Sequence, residues 1–305
     1  MTSSSVAAVD IGTNSVRLLV TDGDGRELER TMRITRLGQG VDSSGALHPE
    51  AVARTVAVLS EYGARIASHG VRRVRAAATS AARDAKNGRV FLDAAEAALG
   101  TRPELLSGEE EARLSFRGAT AELSASEGPF LVVDIGGGST EFILGQSEPE
   151  ALISVPMGCV RFTERHLRAD PPTREELDAC MADVKRELKG VRKVIDPCRA
   201  RCVLGLAGTV TALSAMKLGL ERYDANRTHH SVLRRTDAES SFTRLAASSV
   251  EGRRKLLAEP ERAEVIVAGA AILLTFLREF AIDELLVSEH DILDGIAASL
   301  RSELS

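Results

Sequence analysis

Two segments of the chain end an apolar run in the same way: Val9-Asp10-Ile11-Gly12-Thr13-Asn14-Ser15 and Val133-Asp134-Ile135-Gly136-Gly137-Gly138-Ser139-Thr140. In each, an aspartate closes the run, glycine and small hydroxyl residues follow, and a second apolar run begins (Val16 to Val20; Phe142 to Leu144). The pattern predicts a strand-turn-strand hairpin. Its glycines let the backbone pass close to a ligand, and its bare N–H groups suit an anion. One such turn constrains little. Two in one chain predict a duplicated domain, with two phosphate-gripping turns facing each other across a cleft.

The 305 residues allow two domains. Ser124 to Gly128 is small and polar and marks the expected boundary, with a first domain over 1–126 and a second over 127–305. A C-terminal helix near 290–305 is expected to return to the first domain. In the first half the pattern predicts a third strand from Arg26 to Thr35. A helix opening at His48-Pro49-Glu50 and a strand from Val71 to Ala78 follow. Ser107, with Glu110 closing a capping box, starts a helix that runs to about Ala121. The second half repeats the plan: a third strand from Ala151 to Val155, a strand from Cys202 to Leu206, a long helix from Glu261 to Phe280 and a last strand from Leu285 to Val287. Runs of three strands followed by helices alternating with strands predict an α/β fold with mixed sheets.

A net charge of −5 argues against nonspecific nucleic-acid binding. It also requires that any polyanionic substrate be held by a local basic patch, for which Arg17, Arg36, Arg72, Arg73, Arg75 and Arg83 are candidates. The longest apolar stretch, Val265 to Leu277, is too short to cross a membrane, and Met1 to Ser5 lacks the features of a signal peptide. The chain is therefore expected to be soluble and cytoplasmic, with no membrane partner. Cys198 and Cys202 form a close pair without a second pair or a nearby histidine, so reduced thiols are expected rather than zinc.

With these residues in hand, the chain resembles the exopolyphosphatase and guanosine pentaphosphate phosphohydrolase (Ppx/GppA) family, in its short two-domain form. The resemblance rests on motifs in order. They are Asp10 to Arg17, Arg36 to Gly40, Ala78 to Asp84, Ser107 to Arg113, Asp134 to Glu141 and Gly205 to Leu213. It implies duplicated ribonuclease H-like domains of the superfamily that holds actin, sugar kinases and heat-shock ATPases. It also implies metal-dependent removal of terminal phosphate from inorganic polyphosphate, short chains above all. The alternative substrate is guanosine pentaphosphate or another nucleotide, and a homodimer is implied from the resemblance alone.

The resemblance assigns roles to single residues. A carboxylate beside a phosphate is repulsive unless a cation lies between, which implies Mg²⁺, with Mn²⁺ as a substitute. Asp134 is the firmer ligand and Asp10 helps directly or through water; the other reading is that each caps its own turn. Glu111 matches the family's general base, whereas Glu109 and Glu110 suit a first helical turn through the dipole alone. Glu141 matches a carboxylate that orients metal or water, and Arg83 an arginine that reaches phosphate, against a strand residue and a helix cap at Asp84. Phosphate donors are Gly12, Thr13, Asn14 and Ser15 in one hairpin and Gly136, Gly137, Gly138, Ser139 and Thr140 in the other. Gly208 and Thr209 line the cleft. Arg17 and Arg262 are either contacts to the distal part of the substrate or plain salt bridges. The chain departs from the family at Glu264 and at Ser288-Glu289-His290-Asp291, which replaces a glycine-bearing turn. His229-His230 is read as structural. A sugar or acetate kinase needs an acceptor pocket, and a filament or chaperone scaffold needs insertions; the sequence suggests neither.

Overall fold

The computed structural model describes residues 5–302. Its strands are β1 (Val6–Ile11), β2 (Ser15–Thr21), β3 (Glu27–Ile34), β4 (Arg73–Ala78), β5 (Glu104–Leu105), β6 (Phe130–Ile135), β7 (Thr140–Gly145), β8 (Pro149–Val155), β9 (Cys202–Leu206), β10 (Val232–Arg234) and β11 (Glu284–Val287). They form two sheets, in the orders β3-β2-β1-β4-β5 and β10-β11-β9-β6-β7-β8. In the first, β1, β2 and β3 pair antiparallel, while β4 is parallel to β1 and β5 to β4. Read from its other edge, the second sheet begins β8-β7-β6-β9-β11 with the same directions, and β10 adds an antiparallel edge. The duplication suggested by two short motifs is thus a duplication of strand order. This is the ribonuclease H-like plan, twice over.

Every residue of β1 and of β6 is buried, as a central strand covered on both faces requires. The third strand of each hairpin set, β3 or β8, is mostly part-exposed. On one face of the first sheet, the helices Pro49–Ser68 and Gly88–Leu99 bury Leu59, Tyr62, Phe91 and Leu92 with Val9, Ile11 and Val16. A separate cluster joins Leu293, Ile296 and Ala297 of the helix Ile292–Ser302 to Ala8, Leu19, Ala77 and Leu106. Residues 303–305 of the helix expected near 290–305 lie outside the described residues.

The described residues divide into two compact units. One comprises the chain up to Gly118 together with the residues from His290 onward, and the other Ala119–Glu289. The first crossing therefore falls inside the helix Gly108–Thr120, ahead of the Ser124 to Gly128 stretch. That stretch is an ordered turn of the second unit: Ser124 and Glu127 close a reciprocal capping box around Ala125–Glu127. Small polar residues here make a turn, not a linker.

In the second unit the helix Ile266–Glu279 is buried almost throughout, with Phe276 and Phe280 against Phe142. It starts later than the expected Glu261, because Pro260–Arg262 forms a separate tight turn. The helices Cys159–His166 and Arg235–Ala246 were not read from the sequence: Arg161 and Arg165 interrupt the apolar stripe of the first, and Ser241 lies in the buried stripe of the second. No helix of the described residues is long and apolar enough to cross a membrane.

Candidate active site

The turn between β1 and β2 is held by its carbonyls. Gly12 N–H donates to Ser15 O at 2.9 Å. From the loop after β3, Thr35 and Arg36 N–H donate to Asn14 O at 3.0 and 2.9 Å, and Gly38 N–H to Thr13 O at 2.8 Å. Gly38 packs tightly on this turn: a Cβ there would lie 2.2 Å from Thr13 Cγ2, so the Thr13 side chain would have to move. Thr13 Oγ1 is 2.8 Å from Ser80 Oγ. With the carbonyls engaged, the N–H groups of Thr13 and Asn14 donate to no acceptor among the described residues.

The turn between β6 and β7 is built alike. Gly136 N–H donates to Ser139 O at 3.0 Å, Cys159 N–H to Gly136 O at 3.0 Å, and Val160 and Arg161 N–H to Gly137 O at 2.9 and 3.2 Å. Arg161 Nε donates to Gly138 O at 2.8 Å, and the Thr140 hydroxyl donates to Met157 O. A Cβ on Gly158 would lie 2.3 Å from Gly137 O, so only glycine lets the loop close on the turn. Here the N–H groups of Gly137 and Gly138 are left open among the described residues. Each unit thus presents a rigid turn with donors to spare, which suits an anion.

The two hairpins differ in what faces the aspartate. Asp10 lies directly opposite Arg17 in the β1–β2 ladder, and Asp134 directly opposite Glu141 in the β6–β7 ladder. Residues paired in this way project from one face of the sheet. Asp10 is buried; Arg17 Nε and Nη2 both reach its Oδ2, at 3.0 and 2.7 Å, while Oδ1 has no partner. Burial pushes the Asp10 carboxyl above its ordinary range, against the pull of Arg17. Arg17 also pairs with Asp291. In the second unit Asp134 and Glu141 are both buried, and the Ser154 hydroxyl donates to Glu141 Oε1 at 2.7 Å. Two buried carboxylates on one sheet face are a hard-oxygen donor set that fits a divalent cation. In the first unit, the orphaned Asp10 Oδ1 is a separate oxygen of the same chemistry.

Glu111 stands in the first turn of the helix Gly108–Thr120. Ser107 Oγ accepts from Glu110 N–H at 3.2 Å, but the Glu110 carboxylate does not complete the expected box. It turns instead to Arg75, at 3.1 Å, which also grips Glu104 at 2.8 Å. Glu111 Oε2 lies 3.4 Å from Arg83 Nη1, which donates to Leu106 O at 2.8 Å. Arg83 is therefore fixed beside Glu111, with Asp84 farther off at 3.9 Å. Gly208 and Thr209 open the helix Ala207–Lys217, and the Arg262 guanidinium packs over Gly208, where a Cβ would lie 1.8 Å from Nη1. Arg262 Nε donates to Glu259 at 2.8 Å. Next to Arg262 and Thr209, the Cys159 thiol is pushed up to about 11 by burial. All four cysteines are free thiols, Cys159 and Cys180 buried and Cys198 exposed.

The rings of His229 and His230 stack at 3.8 Å, and His229 Nδ1 accepts from Glu289 N–H at 3.1 Å. Sequence reasoning missed Ser154, Gly158 and Arg161, which carry no motif of their own. It also missed the part played by Asp291, although the departure at Ser288 to Asp291 was the available signal.

A duplicated ribonuclease H-like fold with braced, donor-rich hairpins and buried carboxylates defines a class of phosphoryl-handling enzyme. The chain belongs to the Ppx/GppA phosphatase family, whose sequence profile matches residues 19–303. It is 45% identical to exopolyphosphatase 2 of Mycobacterium tuberculosis, over 97% of this chain and 98% of that one. It is 32% identical to the guanosine-5'-triphosphate,3'-diphosphate pyrophosphatase of Vibrio vulnificus, over 98% of this chain but only 59% of that protein. The crystal structure of an exopolyphosphatase-like protein superposes with a TM-score of 0.94 at 35% identity, covering 99% of this chain and 100% of that one.

Proposed function

We propose that the protein is an exopolyphosphatase that hydrolyses the terminal phosphoanhydride of inorganic polyphosphate, short chains foremost, and releases orthophosphate. The observation that carries this reading is the pair of braced hairpins with open N–H groups, each with a buried aspartate next to the end of its first strand. The end-to-end match to exopolyphosphatase 2 supports polyphosphate over a nucleotide, because the nucleotide-acting relative is less similar and much longer.

Phosphoryl transfer asks the protein mainly to position and to neutralise. The N–H groups of Gly137 and Gly138, and of Thr13 and Asn14, bind phosphate oxygens without needing to reorganise. Glu111 takes a proton from the attacking water, and Arg83, anchored on Leu106 O, keeps the Glu111 carboxylate in place. Within the second unit Asp134 and Glu141 would hold Mg²⁺, and within the first Asp10 is a carboxylate of the same chemistry; the ion when bound would supply charge neutralisation at phosphate oxygens. Thr140 and Gly158 hold the second turn so that its donors do not move during the reaction.

The test is phosphate release by purified protein with Mg²⁺ from polyphosphates of defined length, with guanosine pentaphosphate as competitor. The expected result is a higher kcat/KM for short polyphosphate than for the nucleotide. Release from the nucleotide alone makes the protein a nucleotide phosphohydrolase, and release from neither ends the proposal.

A further inference from the structure

We propose that Asp291 is a positioning residue that acts through Arg17 to keep one oxygen of Asp10 open to a divalent cation, an inference that rests on the functional reading above. Asp291 immediately precedes the helix Ile292–Ser302, in the same unit as β1 and β2. It is buried, and its two oxygens are used separately. Oδ1 accepts from Leu293 N–H at 3.0 Å and so caps the helix; Oδ2 accepts from Arg17 Nη1. A second tether fixes the aspartate itself: its N–H donates to Asp294 Oδ2 at 3.1 Å, and Asp294 Oδ1 accepts from Arg30 Nη2 at 2.5 Å.

Arg17 is thereby divided between two acids. A guanidinium facing one carboxylate commonly takes both oxygens in a parallel fork. Here Nη1 is drawn to Asp291, and the two contacts to Asp10 fall on Oδ2 alone. Asp10 Oδ1 is left buried without a donor. Leaving a charged acceptor buried and unsatisfied is costly, so this oxygen calls for a positive partner from outside the chain. Two carboxylates also share one guanidinium, which leaves the three side chains one negative charge in excess. Loss of Asp291 removes the acid that draws Nη1 away from Asp10, which makes a parallel fork onto both Asp10 oxygens available and closes the opening.

Asn and Ser cap a helix about as well as Asp, so Asp291→Asn and Asp291→Ser keep the helix start while removing the charge that draws Nη1. Mg²⁺ binding is measured on the full chain without substrate, by calorimetry and by the rise of melting temperature with added Mg²⁺. Both variants are expected to bind Mg²⁺ roughly tenfold more weakly or worse, as loss of a ligand-orienting partner does, with the metal-free melting temperature close to the parent's. In an Arg17→Gln background the Asp291→Asn effect should vanish. Unchanged affinity in a folded variant overturns the proposal, and so does the absence of any Mg²⁺ binding by the parent. An effect that persists at full size in the Arg17→Gln background overturns it too, since the charge then acts without Arg17. Because binding is read without turnover, a protein inert toward polyphosphate refutes the functional reading and leaves this result to stand or fall alone.

Discussion

At the scale of single residues, Glu111 is the side chain on which the proposed reaction most depends. Its carboxylate sits 3.4 Å from an arginine that is itself pinned to a backbone carbonyl, so the ion pair is held from one side. Glu111→Gln keeps the shape and loses the basicity. Loss of a general base costs about 10²–10⁴ in rate, so kcat should fall by that factor while KM for polyphosphate and the melting temperature stay near the parent's. A steady-state assay beside a thermal melt checks this. Undiminished turnover would remove Glu111 from the mechanism. Glu109 and Glu110 bring the same chemistry to the same helix turn, and Glu110 is committed to Arg75. Glu110→Gln should therefore leave kcat almost untouched, which makes it the matched control.

At the scale of elements, each hairpin turn is rigid because another loop is bonded to its carbonyls, and glycine makes that closeness possible. Gly158→Ala sets a methyl 2.3 Å from Gly137 O and 2.5 Å from Gly138 N. Backbone, not a flexible side chain, has to yield. Overpacking of this kind costs about 1–3 kcal/mol, and it displaces the two open donors as well. The expected outcome is a loss of activity larger than the fall in melting temperature explains. Gly190→Ala is the contrast. That glycine lies in the helix Arg174–Val191 with nothing within 4 Å of its added Cβ. There alanine should stabilise by about 0.4–1 kcal/mol through the unfolded chain, with kcat unchanged. Denaturant melts of the two variants, read with activity, separate a braced turn from a merely tolerated glycine.

These elements also show how far a sequence can be read. Both hairpins were legible because their apolar runs are short, and an Asp-Ile-Gly stop follows each run. The strands β1, β2, β6 and β7 fall where that punctuation puts them. The helix Cys159–His166 was not legible: three of its eight residues are buried, and Arg161 and Arg165 interrupt the stripe. The site divides in the same way. Asp10, Asp134 and Glu111 stand in motifs, whereas the partners that orient them arrive from distant loops. Ser154 reaches Glu141 from the next strand, and Asp291 reaches Arg17 from the far end of the chain. Local pattern carries no record of such contacts, because they exist only once the sheets have formed.

At the scale of the whole molecule, the first unit is completed by a helix distant in sequence, Ile292–Ser302. Its sheet is covered on one side by helices that follow in sequence, but on the other by Ile292–Ser302. Ile296 is fully buried there against a cluster with Ala8, Leu19, Ala77 and Leu114. The helix approaches so closely that a Cβ on Gly295 would lie 2.1 Å from Leu114 O. Ile296→Ala should cost about 2–5 kcal/mol, since little around it can collapse into the space. Against a typical net stability of about 5–15 kcal/mol, that is a large share. The loss should also be local, because Ile296 belongs to a cluster that contains no residue of the second sheet. Native-state hydrogen exchange reads this directly. Amides of β1, β2 and β4 are expected to lose protection in the variant, while those of β6, β7 and β9 keep the parent's rates. Equal loss in both sheets would show that the two cores unfold as one, and that the C-terminal helix stabilises more than the unit it packs on.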